Sequence, residues 1–170
     1  MKRIFCLIIF ISSLFLRLSG QDFDTRRITS GTGLSNSSVT CILQDSDGQM
    51  WFGTWDGLNM YDGKSITVFK PEPGNKESIS NNIIREMIEQ KPGILWVATD
   101  RGINRLDVKT GKAERFFFGS SGWDIPTEHA FIISKDAQDR IFAFIYGQGA
   151  FVFNANAHVF ERVPIPGTNG

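Results

Sequence analysis

Short apolar runs separated by turn residues dominate the chain from about residue 33 onward. In the first stretch the runs are Val39–Gln44, Met50–Thr54, Leu58–Tyr61 and Ile66–Phe69. Between them lie Asp45-Ser46-Asp47-Gly48, Trp55-Asp56-Gly57 and Asp62-Gly63. Asp-Gly between apolar runs is a strong hairpin signal, because glycine takes positive φ without steric cost. The pattern predicts four short strands joined by tight turns. One stretch conflicts with it: Ile83-Ile84-Arg85-Glu86-Met87-Ile88-Glu89 has apolar residues at helical spacing and, taken alone, reads as an amphipathic helix.

The stretch repeats, which decides the conflict. Gly48-Gln49-Met50-Trp51-Phe52-Gly53-Thr54 matches Gly93-Ile94-Leu95-Trp96-Val97-Ala98-Thr99. Asp56-Gly57-Leu58-Asn59-Met60-Tyr61-Asp62 matches Arg101-Gly102-Ile103-Asn104-Arg105-Leu106-Asp107, and Leu34-Ser35-Asn36 matches Ile79-Ser80-Asn81. Trp51 and Trp96, Gly57 and Gly102, and Asp62 and Asp107 each stand 45 residues apart. In this register Ile83–Glu89 falls on the first strand of the second copy, so a strand is expected there. A looser third copy has Phe131-Ile132-Ile133, a turn at Asp136–Arg140, Phe142 in place of the tryptophan, and Gly149–Asn154. One extra residue separates Phe142 from Gly149.

Four strands per unit at this period describe a β-propeller blade. The expected fold is all-β, with about three blades of four-stranded antiparallel sheet at 33–70, 78–117 and 128–161. Three blades are too few to close a ring, so the chain reads as the front piece of a longer protein. Trp51 and Trp96 are expected as core residues wedging neighbouring blades together, and Lys70–Ser78 as a surface loop between blades.

The N-terminus carries a different signal. Lys2 and Arg3 precede an apolar run from Ile4 to Leu16, and Leu18-Ser19-Gly20 supplies small residues before Gln21. This reads as a signal peptide over residues 1–20, cleaved near Gly20, with a lead-in over 21–32 and the partial propeller over 33–170. The alternative, a retained anchor, suffers from a run shorter than the roughly 18 residues needed to span a bilayer. No other segment could span a membrane. The chain is therefore expected outside the cytoplasm, periplasmic or secreted.

Composition removes several classes of function. The formal net charge is zero, so no basic face invites nucleic acid. Losing Lys2, Arg3 and Arg17 with the leader leaves 15 basic residues against 18 acidic ones. Cys6 leaves as well, and Cys41 alone forms no internal disulfide. It reads as a small packed hydrophobe rather than a reactive thiol. His129 and His158 lack metal-ligand spacing with Cys41. No nucleophile elbow or phosphate-binding glycine loop is present. Asp45-x-Asp47-Gly48 has a faint calcium-loop spelling, but its counterpart Gln90-Lys91-Pro92-Gly93 has no carboxylate, so an ordinary turn is expected. No catalytic residue, cofactor or metal is expected in this chain.

The combination of Leu-Ser-Asn, Asp-x-x-Gly, Trp-Phe-Gly-Thr and Gly-Leu-Asn-x-Tyr-Asp resembles the two-component regulator propeller repeat over roughly Gly33 to Phe160. That repeat builds the periplasmic sensor region of hybrid two-component sensor histidine kinases in Bacteroidetes. The resemblance implies a longer protein with two large propellers, a β-sandwich, one membrane helix, and a histidine kinase with receiver and DNA-binding parts. It further implies glycan breakdown products as ligands, control of polysaccharide-utilisation genes as output, and an inner-membrane anchor for the full-length relative. The partners implied are an oligosaccharide, the remaining blades and a second copy in a homodimer.

Topology then nominates ligand residues. Loops between the second and third strands of each blade leave the same end as the connections between blades. These loops are Trp55-Asp56, Asp100-Arg101 and Tyr146-Gly147-Gln148. Trp55, Asp56, Asp100, Arg101, Tyr146 and Gln148 are the candidate rim: aromatic rings to stack on a pyranose and polar groups to bind hydroxyls. Ordinary solvated hairpin turns are the competing reading. For the whole chain the alternatives are a fragment of a secreted propeller enzyme, lyase or hydrolase, or a passive interaction scaffold.

Overall fold

The computed structural model describes residues 25, 27–118, 131–146 and 148–164. Residues 1–20, expected as a signal peptide, and residues 21–24 and 26 of the expected lead-in lie outside these residues, as do His129 and Gly147. After a short 3-10 turn at Ser30–Thr32, twelve strands follow among the described residues. The first sheet is β1 (Val39–Gln44), β2 (Met50–Thr54), β3 (Gly57–Tyr61) and β4 (Ile66–Phe69). The second is β5 (Ile84–Lys91), β6 (Ile94–Thr99), β7 (Gly102–Asp107) and β8 (Lys112–Phe116). The third is β9 (Phe131–Lys135), β10 (Ile141–Ile145), β11 (Gly149–Asn154) and β12 (Val159–Arg162). Every sheet is an antiparallel meander in chain order. The fold is the all-β propeller arrangement expected, three four-stranded blades in an open rather than closed array.

The helix-like stretch is a strand. Ile84–Lys91 pairs with β6, with shifts between Ile84 and Glu86 and between Glu89 and Lys91. Pairing with β6 supplies the β5 backbone groups that face it with cross-strand partners, and that outweighs a 3.6-residue apolar spacing.

Two apolar clusters fill the junctions between sheets. Trp51 is fully buried with Ile79 of the connection between blades and with Ile84, Met87, Leu95, Val97 and Leu106 of the second sheet. Trp96 is fully buried with Ile133, Ile141, Ala143 and Ile145 of the third. Each tryptophan is therefore the wedge between its own blade and the next. The inner strands approach one another through side chains as well: Thr40 Oγ1 donates to the Ile84 carbonyl at 2.8 Å, and the Ile133 N–H donates to Glu86 Oε2 at 2.9 Å. Gly53 is fixed by this approach. A Cβ there would stand 2.5 Å from Cys41 Sγ and 2.8 Å from Ile84 Cγ2.

The indole nitrogens explain a variation between copies. Trp51 Nε1 donates to Asp45 Oδ2 at 2.7 Å, and Trp96 Nε1 donates to Gln90 Oε1 at 2.9 Å. In the third copy Phe142 has no N–H. Asp136, which stands where Asp45 and Gln90 stand, pairs instead with Arg140 at 2.6 Å. The Arg140 guanidinium lies 5.5 Å from the Phe142 ring centroid. The turn acceptor is thus matched to the ring it serves. The other Asp45 oxygen accepts the N–H groups of Asp47 and Gln49, so the calcium-like spelling is a turn, as expected.

The signature polar residues are structural. Asn59 Oδ1 accepts the Ser35 N–H at 2.8 Å, and Asn59 Nδ2 donates to Ser35 Oγ at 2.9 Å. Ser35 Oγ meets Thr54 Oγ1 at 3.0 Å, and Thr54 Oγ1 donates to the Gly57 carbonyl at 2.8 Å. The second copy repeats this with Ser80, Thr99 and Asn104. Asn59, Thr54, Asn104 and Thr99 are all fully buried, which is tolerable because each is hydrogen-bonded. The network ties the entering chain to the third strand of its own blade. In the third copy Ile145 and Phe151 occupy the threonine and asparagine positions, and Phe151 packs edge-on against Phe118 at 5.2 Å.

Candidate functional site

The candidate rim is built by three hairpins. The Trp55 N–H donates to the Ser38 carbonyl at 3.2 Å, and the Asp100 N–H donates to the Ile83 carbonyl at 3.1 Å. Each tip is therefore held against the start of the inner strand of its own sheet. The third tip closes differently, with the Gln148 N–H donating to the Ile145 carbonyl at 3.0 Å. This is where the extra residue of the third copy sits.

Two of the three tips present exposed rings: Trp55 is 57% exposed and Tyr146 is 78% exposed. Both carboxylates are engaged. Asp56 Oδ2 pairs with Lys70 Nζ at 2.7 Å, and Asp56 Oδ1 accepts from Asn82 Nδ2 at 3.0 Å. Lys70 first and Asn82 second hold the Asp56 carboxyl below the usual carboxylate range. Asp100 pairs with Arg85 through Nε. The Arg101 N–H donates to Thr99 Oγ1 at 3.1 Å, while its side chain is exposed. Gln148 is half-buried.

The structure thus joins Asp56 through Asn82 to the connection that enters the second sheet, and the Gly57 N–H reinforces the junction by donating to the Asn82 carbonyl at 2.7 Å. Lys70, Asn82 and Arg85 belong to this end of the molecule although the spacing of the turns did not single them out. The signal for Lys70 and Asn82 was available: both lie on the connection between blades, which leaves at the same end as these hairpins. Cys41 is half-buried against Gly53, and burial pushes its thiol up, as suits a packing residue. Among the described residues no group of three His, Cys, Asp or Glu side chains is placed to hold a metal ion. Among the same residues no helix is long and apolar enough to cross a membrane.

Residues 33–56, which run from the Leu-Ser-Asn entry through the Trp strand to the first rim tip, match the two component regulator propeller family. A 78-residue stretch of this propeller chain is 38% identical to histidine kinase P4 of Formosa agariphila, covering 45% of the chain and 6% of that kinase. Among solved structures, the extracellular domain of a hybrid two component system from B. thetaiotaomicron superposes with a TM-score of 0.69 at 24% identity. That match covers 81% of the chain and 20% of that domain. The WD40 β-propeller domain of Doa1 superposes with a TM-score of 0.56 at 14% identity, over 77% of the chain and 42% of that domain. The chain therefore spans 6% of the length of this kinase and 20% of that extracellular domain. The structural matches support the propeller fold.

Proposed function

We propose that this chain is part of an exported, ligand-sensing propeller of a hybrid two-component sensor histidine kinase. The ligand is an oligosaccharide bound at the rim formed by Trp55, Asp56, Asp100, Arg101, Tyr146 and Gln148. The observation that carries this reading is the pair of exposed rings on topologically equivalent hairpin tips beside ion-paired carboxylates. Aromatic faces stack on the C–H face of a pyranose, and fixed charged groups bind hydroxyls with direction. The kinase relative and the extracellular two-component neighbours support the sensor role. Kinase chemistry belongs to other regions of a longer protein, and the regulated genes are those for use of the sensed polysaccharide.

Calorimetric titration with a panel of defined oligosaccharides tests the rim. Trp55→Ala is expected to weaken binding by about 0.5–1.5 kcal/mol, and Arg101→Ala by about 1.5–3 kcal/mol. Neither should change the thermal midpoint appreciably, whereas Trp96→Ala should cost about 3–5 kcal/mol of stability. Unchanged affinity in both rim variants sinks the assignment. Turnover of an oligosaccharide by the wild-type chain would favour a propeller enzyme instead.

A further inference from the structure

A second cleft lies between the second and third sheets, at the end opposite the candidate rim. It has a volume of about 250 Å³ and is lined by Gln90, Lys91, Arg105, Asp139, Phe153, Ala155 and His158. The turns after the first and third strands of the blades build it, so it shares no residue with the rim. Comparison with the first copy shows what is special here. Arg105 stands where Met60 stands, Lys91 where Ser46 stands, and Lys135 where Glu89 stands. At the first junction Ser46 donates through its N–H and its Oγ to Glu89, both at 2.8 Å, and Met60 packs on the apolar cluster. The second junction replaces an apolar residue, a hydroxyl and a carboxylate with three cations.

Only one of the three is neutralised by an ion pair. Lys135 Nζ pairs with Asp139 Oδ1 at 3.3 Å and also donates to the Gln90 carbonyl at 3.2 Å. Among the described residues neither Lys91 nor Arg105 forms an ion pair. Glu114, opposite Arg105 across β7 and β8, is taken by His158 Nδ1 at 3.2 Å. The walls are fixed. Phe153 packs on Trp96, Phe116 and Phe160, and Gln90 is held between Trp96 Nε1 and the Asp139 carbonyl. Asp139 (φ 57°) and His158 (φ 54°) both line the cleft, and they are the non-glycine residues with positive φ among the described residues. Asp139 holds the turn position that Gly48 and Gly93 hold in the other copies. Side chains kept in the left-handed region gather where a site constrains the backbone.

We propose that this cleft binds a compact oxyanion on a small ligand, with Arg105 and Lys91 as its charge contacts; that the group is a carboxylate or sulfate on a sugar ring rests on the glycan-sensor reading above. The guanidinium fork matches the paired oxygens of either group, the ammonium adds a point charge, and Phe153 supplies an apolar wall. The cleft is smaller than the 300–1,000 Å³ typical of drug-sized ligands, which fits a single ring or its anionic substituent.

Titration calorimetry of the chain at low ionic strength, with sodium glucuronate, sodium sulfate and glucose as probes, tests this. At least one anion binds, glucose does not, and the affinity falls as sodium chloride is added. Binding of glucuronate alone assigns the site to uronates, binding of sulfate alone to sulfate esters, and binding of both to the shared oxyanion. Arg105→Met, which restores the first copy's residue, should weaken binding about tenfold or more, and Lys91→Ser several-fold. Trp55→Ala should leave it unchanged, so failure at the rim and failure here are distinguishable. If Arg105→Met does not fold, the exposed Lys91→Ser variant decides. No anion binding, equal binding of glucose, or wild-type affinity in the folded basic-residue variants overturns the proposal.

Discussion

Replacing Asn104 with alanine isolates the energetic role of the repeat's polar signature. Asn104 is fully buried. Its Oδ1 accepts the Ser80 N–H at 2.8 Å, and its Nδ2 donates to Ser80 Oγ at 3.0 Å and to the Val97 carbonyl at 3.2 Å. Alanine removes all three bonds and leaves the Ser80 N–H without its acceptor. At about 1 kcal/mol net per hydrogen bond the loss is about 3 kcal/mol, and desolvation of the orphaned Ser80 amide pushes it upward. Ser80→Ala is the control. It removes one hydroxyl, but Thr99 Oγ1 keeps the Gly102 carbonyl and Asn104 Nδ2 keeps the Val97 carbonyl. The two bonds lost, to Thr99 Oγ1 and from Asn104 Nδ2, give an expected cost of about 2 kcal/mol with no amide orphaned. Urea unfolding followed by tryptophan fluorescence, with slopes compared among variants, measures both. Equal costs for the two variants, or a cost below about 1 kcal/mol for Asn104→Ala, would refute the view that this network pins the entering chain to its blade.

Gly53→Ala should cost about 1–3 kcal/mol in the same assay, because the new methyl meets Cys41 and Ile84 at distances no Cβ tolerates; an unchanged midpoint would show that the inner strands separate freely. The open faces should drive self-association: Ile42 is 59% exposed although Met87, its counterpart in the second sheet, is 5% exposed, and Phe144 is exposed on the third sheet. Ile42→Ser with Phe144→Ser should shift the sedimentation profile toward monomer with little loss of stability, and an unaltered profile counts against it. Acid should destabilise the fold, because Asp56, Asp62 and Asp107 are held below the usual carboxylate range, by Lys70 and by the Ser65 and Thr110 N–H groups respectively. A depressed folded-state value contributes stability above the ordinary value of about 3.9 and loses it as the pH falls below that. Urea midpoints should therefore fall between about pH 5 and pH 3, and less so in Asp107→Asn.

Much of this molecule is written in the chain as periodicity. A 45-residue repeat with aligned tryptophans, glycines and turn aspartates defines the blade, because each blade must solve the same local problem of four strands and three turns. The register even corrected the helical spacing of Ile83–Glu89, since a strand in one copy makes a strand in the next. The tips of the hairpins could be located from strand alternation, because alternation dictates which end each loop leaves. Partnership was decided only by the tertiary structure. Ser80 and Asn104 lie 24 residues apart, and nothing in their spacing says that one caps the other. Asp45 and Gln90 read as turn residues, yet each accepts an indole N–H from a strand beside it. The ion pairs of Asp56 with Lys70 and Asp100 with Arg85 were invisible for the same reason: pairing depends on where chain ends meet in space. Arg105, Lys91 and His158 face one cleft because the third sheet packs against the second. Repetition fixes what each blade is, whereas chemistry between blades arises where one copy departs from the pattern beside another.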